Sequence, residues 1–337
     1  MNTAELFSPT VLDIDAAEVV DQLSQQIRDV VGRRLRRRGV VLGLSGGIDS
    51  SVTAALCARA LGKDRVFGVL MPEGESNDDS ARLATLLAET LGISYIVENI
   101  GSTLDALGCY QRRDDAIRTV IPEYGEGWKS KIVLPNIADG IHYQIFSLIA
   151  ESPSGEQRRV RLTPEAYLGV VAATNFKQRT RKMLEYHHAD RLWYAVAGTP
   201  NRLEYAQGFF VKNGDGSADF KPIAHLYKTQ VYQLGRYLRV PEEIVRRPPT
   251  TDTYSLEQSQ EEFFFSLPLE KMDLCLYGKN HGLRPEEIAA GIGLTTEEIQ
   301  RTYRAIDSKL ASTLYLHLPP QLLEPIDEVQ IGSRPSV

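Results

Sequence analysis

The chain has 337 residues, a formal net charge of −6 and a pI near 5.6, with 24% charged and 42% hydrophobic residues. That length carries one large domain or two with ample core, the acidic balance argues against a broad nucleic-acid footprint, and no apolar run approaches the ~20 residues of a membrane span. Met1 to Asp15 has acidic residues and no basic n-region, unlike a signal peptide, and Cys57, Cys109 and Cys275 form no C-x-x-C pair, which suggests neither a zinc site nor a disulfide framework and fits a reducing cytoplasm.

Residues 11 to 38 carry the period of an amphipathic helix, with Val19, Leu23, Ile27, Val30 and Val31 on one face. The run Arg33, Arg34, Arg36, Arg37 and Arg38 is either a phosphate or partner patch or, as favoured here, a solvated last turn that complements the helix dipole. Val40 to Ser51 then reads V-V-L-G-L-S-G-G-I-D-S-S: a buried strand, a tight turn, and a helix that starts at once. Gly46 and Gly47 allow backbone angles that other residues resist, and they let a ligand approach the main chain. Ser45, Ser50 and Ser51 add hydroxyls, and the new helix points its positive end at the turn, which makes an anion site. Asp49 is a carboxylate facing that site, repulsive unless a cation lies between, and it reads as a Mg²⁺ ligand. No Lys follows the second Gly, so this is not the Walker A pattern.

Arg65 to Met71 is a buried strand stopped by Pro72, Asn77 to Leu91 a helix capped by Asn77, and Ile93 to Ile100 a third strand. The order β-α-β-α-β predicts an α/β fold: a doubly wound parallel sheet flanked by helices, with ligands at the carboxyl ends of its strands. Residues 108 to 164 are less regular. They contain E-Y-G-E-G-W (Glu123 to Trp128) and strand-like runs at Lys131 to Leu134, Tyr143 to Ala150 and Arg159 to Leu162. They read as a β-rich insertion: an acceptor-recognition lobe, a dimer arm or a neutral decoration.

Thr163-Pro164-Glu165 starts a helix, Thr as cap and Pro at the first position, running through Asn175 to Met183 to about His187. Lys177, Arg179, Arg181 and Lys182 lie along it, and most of them read as a solvated face. His187 and His188 are adjacent, point different ways on a helix, and make a poor metal pair. Arg191 to Ala197 is the next strand. It feeds Gly198 to Ile223, where Glu204, Lys212, Asp215 and Asp219 stand beside Gly-rich turns, an arrangement suited to a Mg–phosphate site. His225 to Leu238 is amphipathic, with Lys228 on its first turns. Arg246 to Ser266 is polar, has two prolines and no clean period, and reads as a mobile lid. Phe263, Phe264 and Phe265 are either its anchor or part of the core. A helical C-terminal part follows, near Leu269 to Lys279, Pro285 to Ala290 and Thr296 to Leu310, and the tail after Pro319 is expected to be ordered only in part.

The loop S-G-G-I-D-S resembles the pyrophosphate-binding loop of the ATP pyrophosphatases, or adenine-nucleotide alpha-hydrolases. Together with N-F-K-Q-R (175 to 179), Gly198 to Ile223, L-Y-K-T-Q (226 to 230) and R-P-P-T-T-D (247 to 252), it makes the chain similar to ammonia-dependent NAD synthetase from about residue 11 to 310. The resemblance implies one synthetase domain over residues 1 to 337, a homodimer in the cytoplasm, and small-molecule substrates with neither nucleic acid nor membrane as partner. Deamido-NAD would be adenylated by ATP with Mg²⁺ present, then amidated by ammonia, leaving AMP and pyrophosphate.

By the same resemblance Gly43, Leu44, Ser45, Gly46, Gly47, Ile48, Asp49 and Ser50 would hold ATP with Thr199, Lys228 and Thr250. Asp49 and Glu204 would hold Mg²⁺. Arg179, Lys212 and Asp219 would contact deamido-NAD. Asp215 would lie near the ammonia site, and Asp49, Asp215 and Lys228 would be catalytic. Two departures touch the acceptor: the insertion is long, and Leu314 and Tyr315 stand where the family carries a His-Lys pair. An amide ligase of the same type acting on another carboxylate is the alternative those departures motivate, and a catalytically dead nucleotide binder is a further one. Glutamine-using relatives carry a nitrilase-like domain ahead of the synthetase; only about 40 residues precede the loop here, so free or separately supplied ammonia is expected.

Overall fold

The computed structural model describes residues 7–133, 146–250, 253–260, 264–265 and 267–326. Leu134 and Tyr143 of two expected strands, Phe263 and Ser266 of the expected lid, and the last part of the tail lie outside the described residues. Helix α1 (Ala16–Arg28) is capped by Asp15, whose carboxylate accepts the Ala17 and Glu18 N–H groups, and it turns Val20, Leu23 and Ile27 inward. Strand β1 (Val40–Gly43), helix α2 (Ile48–Leu61), strand β2 (Val66–Leu70), helix α3 (Asp78–Leu91, capped by Asn77) and strand β3 (Ser94–Val97) then alternate as the sequence predicts. Helices α4 (Gly101–Ala106) and α5 (Cys109–Arg118) precede three strands, β4 (Lys129–Val133), β5 (Ser147–Glu151) and β6 (Gln157–Arg161). Helix α6 (Pro164–Leu192) starts on its Thr163 cap and leads to β7 (Ala195–Val196), α7 (Arg202–Gln207), α8 (Lys228–Tyr237) and α9 (Glu242–Arg246). The chain closes with α10 (Leu269–Asn280), α11 (Pro285–Ile292) and α12 (Thr296–His317).

The main sheet is parallel, in the order β3-β2-β1-β7. Period-2 alternation puts its side chains into two cores. Val40 and Leu42 of β1 face a core with α1, α2 and α8, while Val41 joins Val69 and Val196 against α4 and α6. All three β1 side chains are fully buried. Each such burial stabilises the fold by about 1.5–3 kcal/mol. A strand covered on both faces has no polar alternation, which is why β1 and β2 read as plain apolar runs. Phe265, Met272 and Ile306 centre a separate helical core.

The small antiparallel sheet β4-β5-β6 packs Ile132 and Leu148 against Ile117 of α5 and Val170 of α6. Its edge strand β4 also holds residues 254–258. Ser130 N–H donates to Ser255 Oγ at 2.8 Å, Leu256 N–H returns to Ser130 O, Gln258 donates to Ile132 O, and Tyr254 is buried. The described part of the expected lid is thus hydrogen-bonded to the insertion, and Phe265 belongs to the core.

Four expectations need correction. Residues 101 to 118 are helical, so the insertion becomes β-rich only from Lys129. Strand β7 covers two residues because α6 continues to Leu192 and stops where Trp193 turns left-handed. Lys177 and Lys182 lie on the inward face of α6, not on its solvated face. Gly46 has φ +73°, but Gly47 is extended at φ −90°, a conformation any residue adopts.

A Cβ on Gly46 would also stand 2.5 Å from Ser80 O at the start of α3. Gly46→Ala should therefore destabilise the fold by at least the left-handed cost of about 1–2 kcal/mol. Urea denaturation measures it, and an unchanged midpoint would contradict this backbone.

Candidate active site

A cavity of about 580 Å³ opens at the carboxyl ends of β1 and β7, where the chain leaves β1 toward β2 on one side and reaches β7 on the other. This is the switch point at which α/β sheets bind ligands, and the volume suits a small-molecule substrate. Of the loop residues 43 to 50, all but Gly46 border the cavity. Thr199, Glu204, Lys228 and Thr250 border it too, as do Arg179, Lys212 and Asp215. Asp219 does not: its carboxylate accepts the Val196 N–H at 2.7 Å and fastens the short strand β7.

The β1–α2 loop is built from its own hydroxyls. Ser45 and Ser50 share a hydrogen bond of 3.1 Å, Ser45 Oγ accepts the Gly47 N–H, and Ser51 Oγ donates to Gly47 O at 2.8 Å. No side chain caps α2 at Gly47, so the first-turn N–H groups and the positive end of a 14-residue helix face the cavity. Gly43 has a different use: a Cβ there would meet Glu185 Oε1 at 2.8 Å, so glycine admits the Glu185 carboxylate beside the loop.

Lys228, Asp49 and Glu204 converge from α8, α2 and α7. Lys228 is buried and its Nζ donates to Asp49, which also accepts Asn201 Nδ2 at 3.0 Å. Asn201 caps α7 by accepting the Leu203 and Glu204 N–H groups, and Glu204 closes the box by accepting the Asn201 N–H at 3.2 Å. Gln260 Nε2 donates to the other Glu204 oxygen at 3.0 Å. Burial, then the Asp49 charge, pushes the Glu204 carboxyl well up from the usual range. Burial pulls Lys228 down, but the Asp49 and Glu204 charges outweigh it and the net shift is upward. Lys228 is the first residue of α8, whose start is fixed by Asp273 of α10, a carboxylate that accepts both Thr229 N–H and Thr229 Oγ1–H at 2.8 Å.

The oxygens here are hard donors. Asp49 and Glu204 supply two carboxylates, and Gln260 Oε1 is buried without a hydrogen-bond partner among the described residues. That set fits Mg²⁺, which takes one or two carboxylates and completes its shell with water and substrate phosphates. No group of three or more His, Cys, Asp or Glu able to hold a metal occurs among the described residues.

The far wall carries Arg179, Lys212 and Asp215. Lys212 Nζ donates to Tyr315 O at 2.7 Å and Leu318 O at 3.2 Å, a cation on the last turn of α12, and its ammonium lies 5.2 Å from the Tyr315 ring centre. Arg179 Nε donates to Lys212 O. Tyr315 itself borders the cavity, while Leu314 beside it is exposed. Asp215 accepts the Val211 N–H at 2.7 Å, and burial raises its carboxyl above the ordinary value. The sequence reading missed the buried Lys182–Glu185 pair, joined at 2.6 Å, together with Arg247 and Gln260, all on the cavity wall. Asn201 was missed as well, although N-R-L-E (201 to 204) has the spacing of a capping box.

Comparison with known proteins shows the lineage of the chain. Residues 19–120 and 142–310 match the NAD synthase family. The NH(3)-dependent NAD(+) synthetase of Rhizobium meliloti (strain 1021) is 57% identical over 325 residues, covering 96% of this chain and 97% of the relative. That of Thermotoga maritima is 35% identical over 253 residues, covering 74% of this chain and 84% of the relative. Among solved structures, an NH3-dependent NAD synthetase from Campylobacter jejuni has a TM-score of 0.60 at 24% identity, covering 92% of this chain and all of that one. An NMN synthetase from Francisella tularensis has a TM-score of 0.59 at 21% identity, covering 93% of this chain and 99% of that one. At those identities the structures speak for the fold, whereas the family match over residues 19–120 and 142–310 and the relatives at 57% and 35% identity show the lineage: the chain belongs to the NAD synthase family.

Proposed function

We propose that this enzyme is a ligase that makes NAD from deamido-NAD, ATP and ammonia. The observation that carries the proposal is the convergence of Asp49, Glu204 and Lys228 at the open N-terminus of α2, within a chain 57% identical to a named NH(3)-dependent NAD(+) synthetase. A carboxylate is a poor acyl donor. Its oxygen attacks the ATP α-phosphorus, the bond to the β-phosphate oxygen breaks, and pyrophosphate leaves. Ammonia then attacks the acyl carbon, AMP departs, and one proton is lost.

In this reading the residues contribute position and charge. The loop from Gly43 to Ser50 and the first turn of α2 bind the leaving pyrophosphate. Lys228 neutralises charge on the phosphates, and Thr199 and Thr250 border the nucleotide. Asp49 and Glu204 would hold Mg²⁺, whose charge would offset that of the polyphosphate and keep the buried Glu204 ionised. Arg179, Lys212 and Asp219 are assigned to deamido-NAD. For Asp219 that assignment runs through the β7 backbone it fastens. Asp215, a half-buried residue on the acceptor wall, is assigned the proton released when ammonia attacks. The three buried thiols and the substrates accord with the cytoplasm.

The nucleotide product should be AMP with pyrophosphate. Chromatography of one reaction with ATP, Mg²⁺, ammonia and deamido-NAD settles it, and ADP as product would sink the reading. Asp49→Asn should lower turnover more than about tenfold, or 1.4 kcal/mol of barrier, with the circular dichroism spectrum unchanged. A variant that kept more than a tenth of the rate would remove Asp49 from the chemistry. A homodimer is proposed as the working form, with Leu310, Leu314 and Leu318 of the α12 end offering exposed apolar surface. Sedimentation equilibrium should give twice the mass of the chain, and a monomer at micromolar concentration would exclude it.

A further inference from the structure

Behind the cavity wall lies a buried ionic cluster that the chemistry above does not use. Lys177 of α6 is 2% exposed, and an ammonium has three protons to donate. All three are taken: Glu73 Oε1 at 2.9 Å, Glu75 Oε2 at 2.6 Å and Thr253 O at 2.9 Å. Glu73 also accepts from the Tyr110 hydroxyl and the Glu75 N–H, and Arg113 of α5 pairs with Glu75. Arg113 also pairs with Asp114, so three carboxylates meet two cations, and each cation is held between two carboxylates. Burial alone would raise the Glu73 carboxyl; the Lys177 charge and the Tyr110 hydroxyl reverse this, and the net shift is downward.

The third acceptor is the informative one. Charge balance needs only the carboxylates, yet the ammonium also holds a main-chain carbonyl from Thr253, 76 positions along the chain. Glu73 and Glu75 belong to the β2–α3 loop, which brings Pro72, Ser76 and Ser80 to the cavity. Thr253 belongs to the opposite wall, which brings Arg247, Thr250 and Tyr254. The two walls also touch through Arg247, whose guanidinium donates to Ser80 Oγ at 2.9 Å. The open end of α2 lies in the same cavity.

We infer that Lys177 is a positioning residue for the nucleotide: its ammonium clamps the wall carrying Thr253 and Tyr254 to the β2–α3 loop, so that the ATP-binding cleft is set before ATP arrives. The inference rests on ATP being the ligand of this cleft. It predicts a loss of nucleotide affinity rather than a loss of chemistry when the clamp is removed.

Lys177→Met alone strands the buried Glu73 carboxylate and can fail to fold. The pair Lys177→Met with Glu73→Gln removes the clamp while leaving the Glu75–Arg113 pair and the net charge of the cluster unchanged. Calorimetry with α,β-methylene-ATP should show binding weakened about tenfold or more in the pair variant, with KM for deamido-NAD within about twofold of wild type. Lost packing alone would lower the melting temperature and the active fraction and leave nucleotide affinity in place. A folded variant that binds the analogue as tightly as wild type overturns the inference. A second measurement needs no variant. In the wild-type protein without nucleotide, the amides of Arg247, Thr250 and residues 253–256 should exchange slowly. Fast exchange that slows only with the analogue would mean that the wall is set by the nucleotide, and would also overturn the inference. Analogue binding and amide exchange need no NAD to form, so a wild type that binds the analogue but makes no NAD would overturn the proposed function and not the clamp.

Discussion

The burial of Lys228 against Asp49 and beside Glu204 is the constraint on which the active region depends. A buried ammonium is tolerable only if carboxylates reach it, and the carboxylates come from two other helices. Asp49 can reach it because the β1–α2 turn is tight enough to start α2 at once. Glu204 can reach it because Asn201 and Glu204 cap one another at the start of α7. Lys228 stays in register because Asp273 of α10 holds the first turn of α8. One charge cluster therefore couples the central sheet, through α2, to the C-terminal helices, through α8 and α10.

The two ends of the cavity solve different problems. At the loop end, open N–H groups and the helix dipole favour an anion, and the flanking carboxylates favour a cation between them and that anion. At the other end Lys212 has given its ammonium to the last turn of α12, and the Tyr315 ring lies over it. Tyr315 thus stands at the cavity where the family resemblance calls for a His-Lys pair. The far wall joins the loop that carries Lys212 to the end of a long helix, and a shift of that helix would move Lys212 and Tyr315 together.

Much of this was legible in the sequence because the signals were local. An apolar run, Gly46, the hydroxyls and a helix start within the dozen residues Val40 to Ser51 define the loop without reference to anything distant. The Asn77 and Thr163 caps announce α3 and α6 in the same way. Where meaning lay across the fold, the reading failed. Helix α5 is hidden because R-R-D-D lies inside it, and only packing against α6 shows that Cys109, Arg113 and Ile117 face inward. Lys177 and Lys182 look solvated in a charged stretch. They are buried because carboxylates meet them, from Glu185 one turn away for Lys182 and from residues more than 100 positions earlier for Lys177. The bond from Val196 N–H to the Asp219 carboxylate, which ties β7 to a residue 23 positions later, has no local signal either.

The hydrogen bonds from β4 to residues 254–258 carry a consequence for how such a chain can vary in length. The small sheet resembles an accessory lobe, the kind of segment that tolerates deletion. Its edge strand is nevertheless the only surface against which Ser255, Leu256 and Gln258 are pinned among the described residues. Shortening the sheet would release the main chain next to Thr253 and Tyr254 and leave that wall of the cavity to the Lys177 and Arg247 contacts. The insertion is in this sense a buttress, and a homologous chain lacking it must brace the same stretch from some other element.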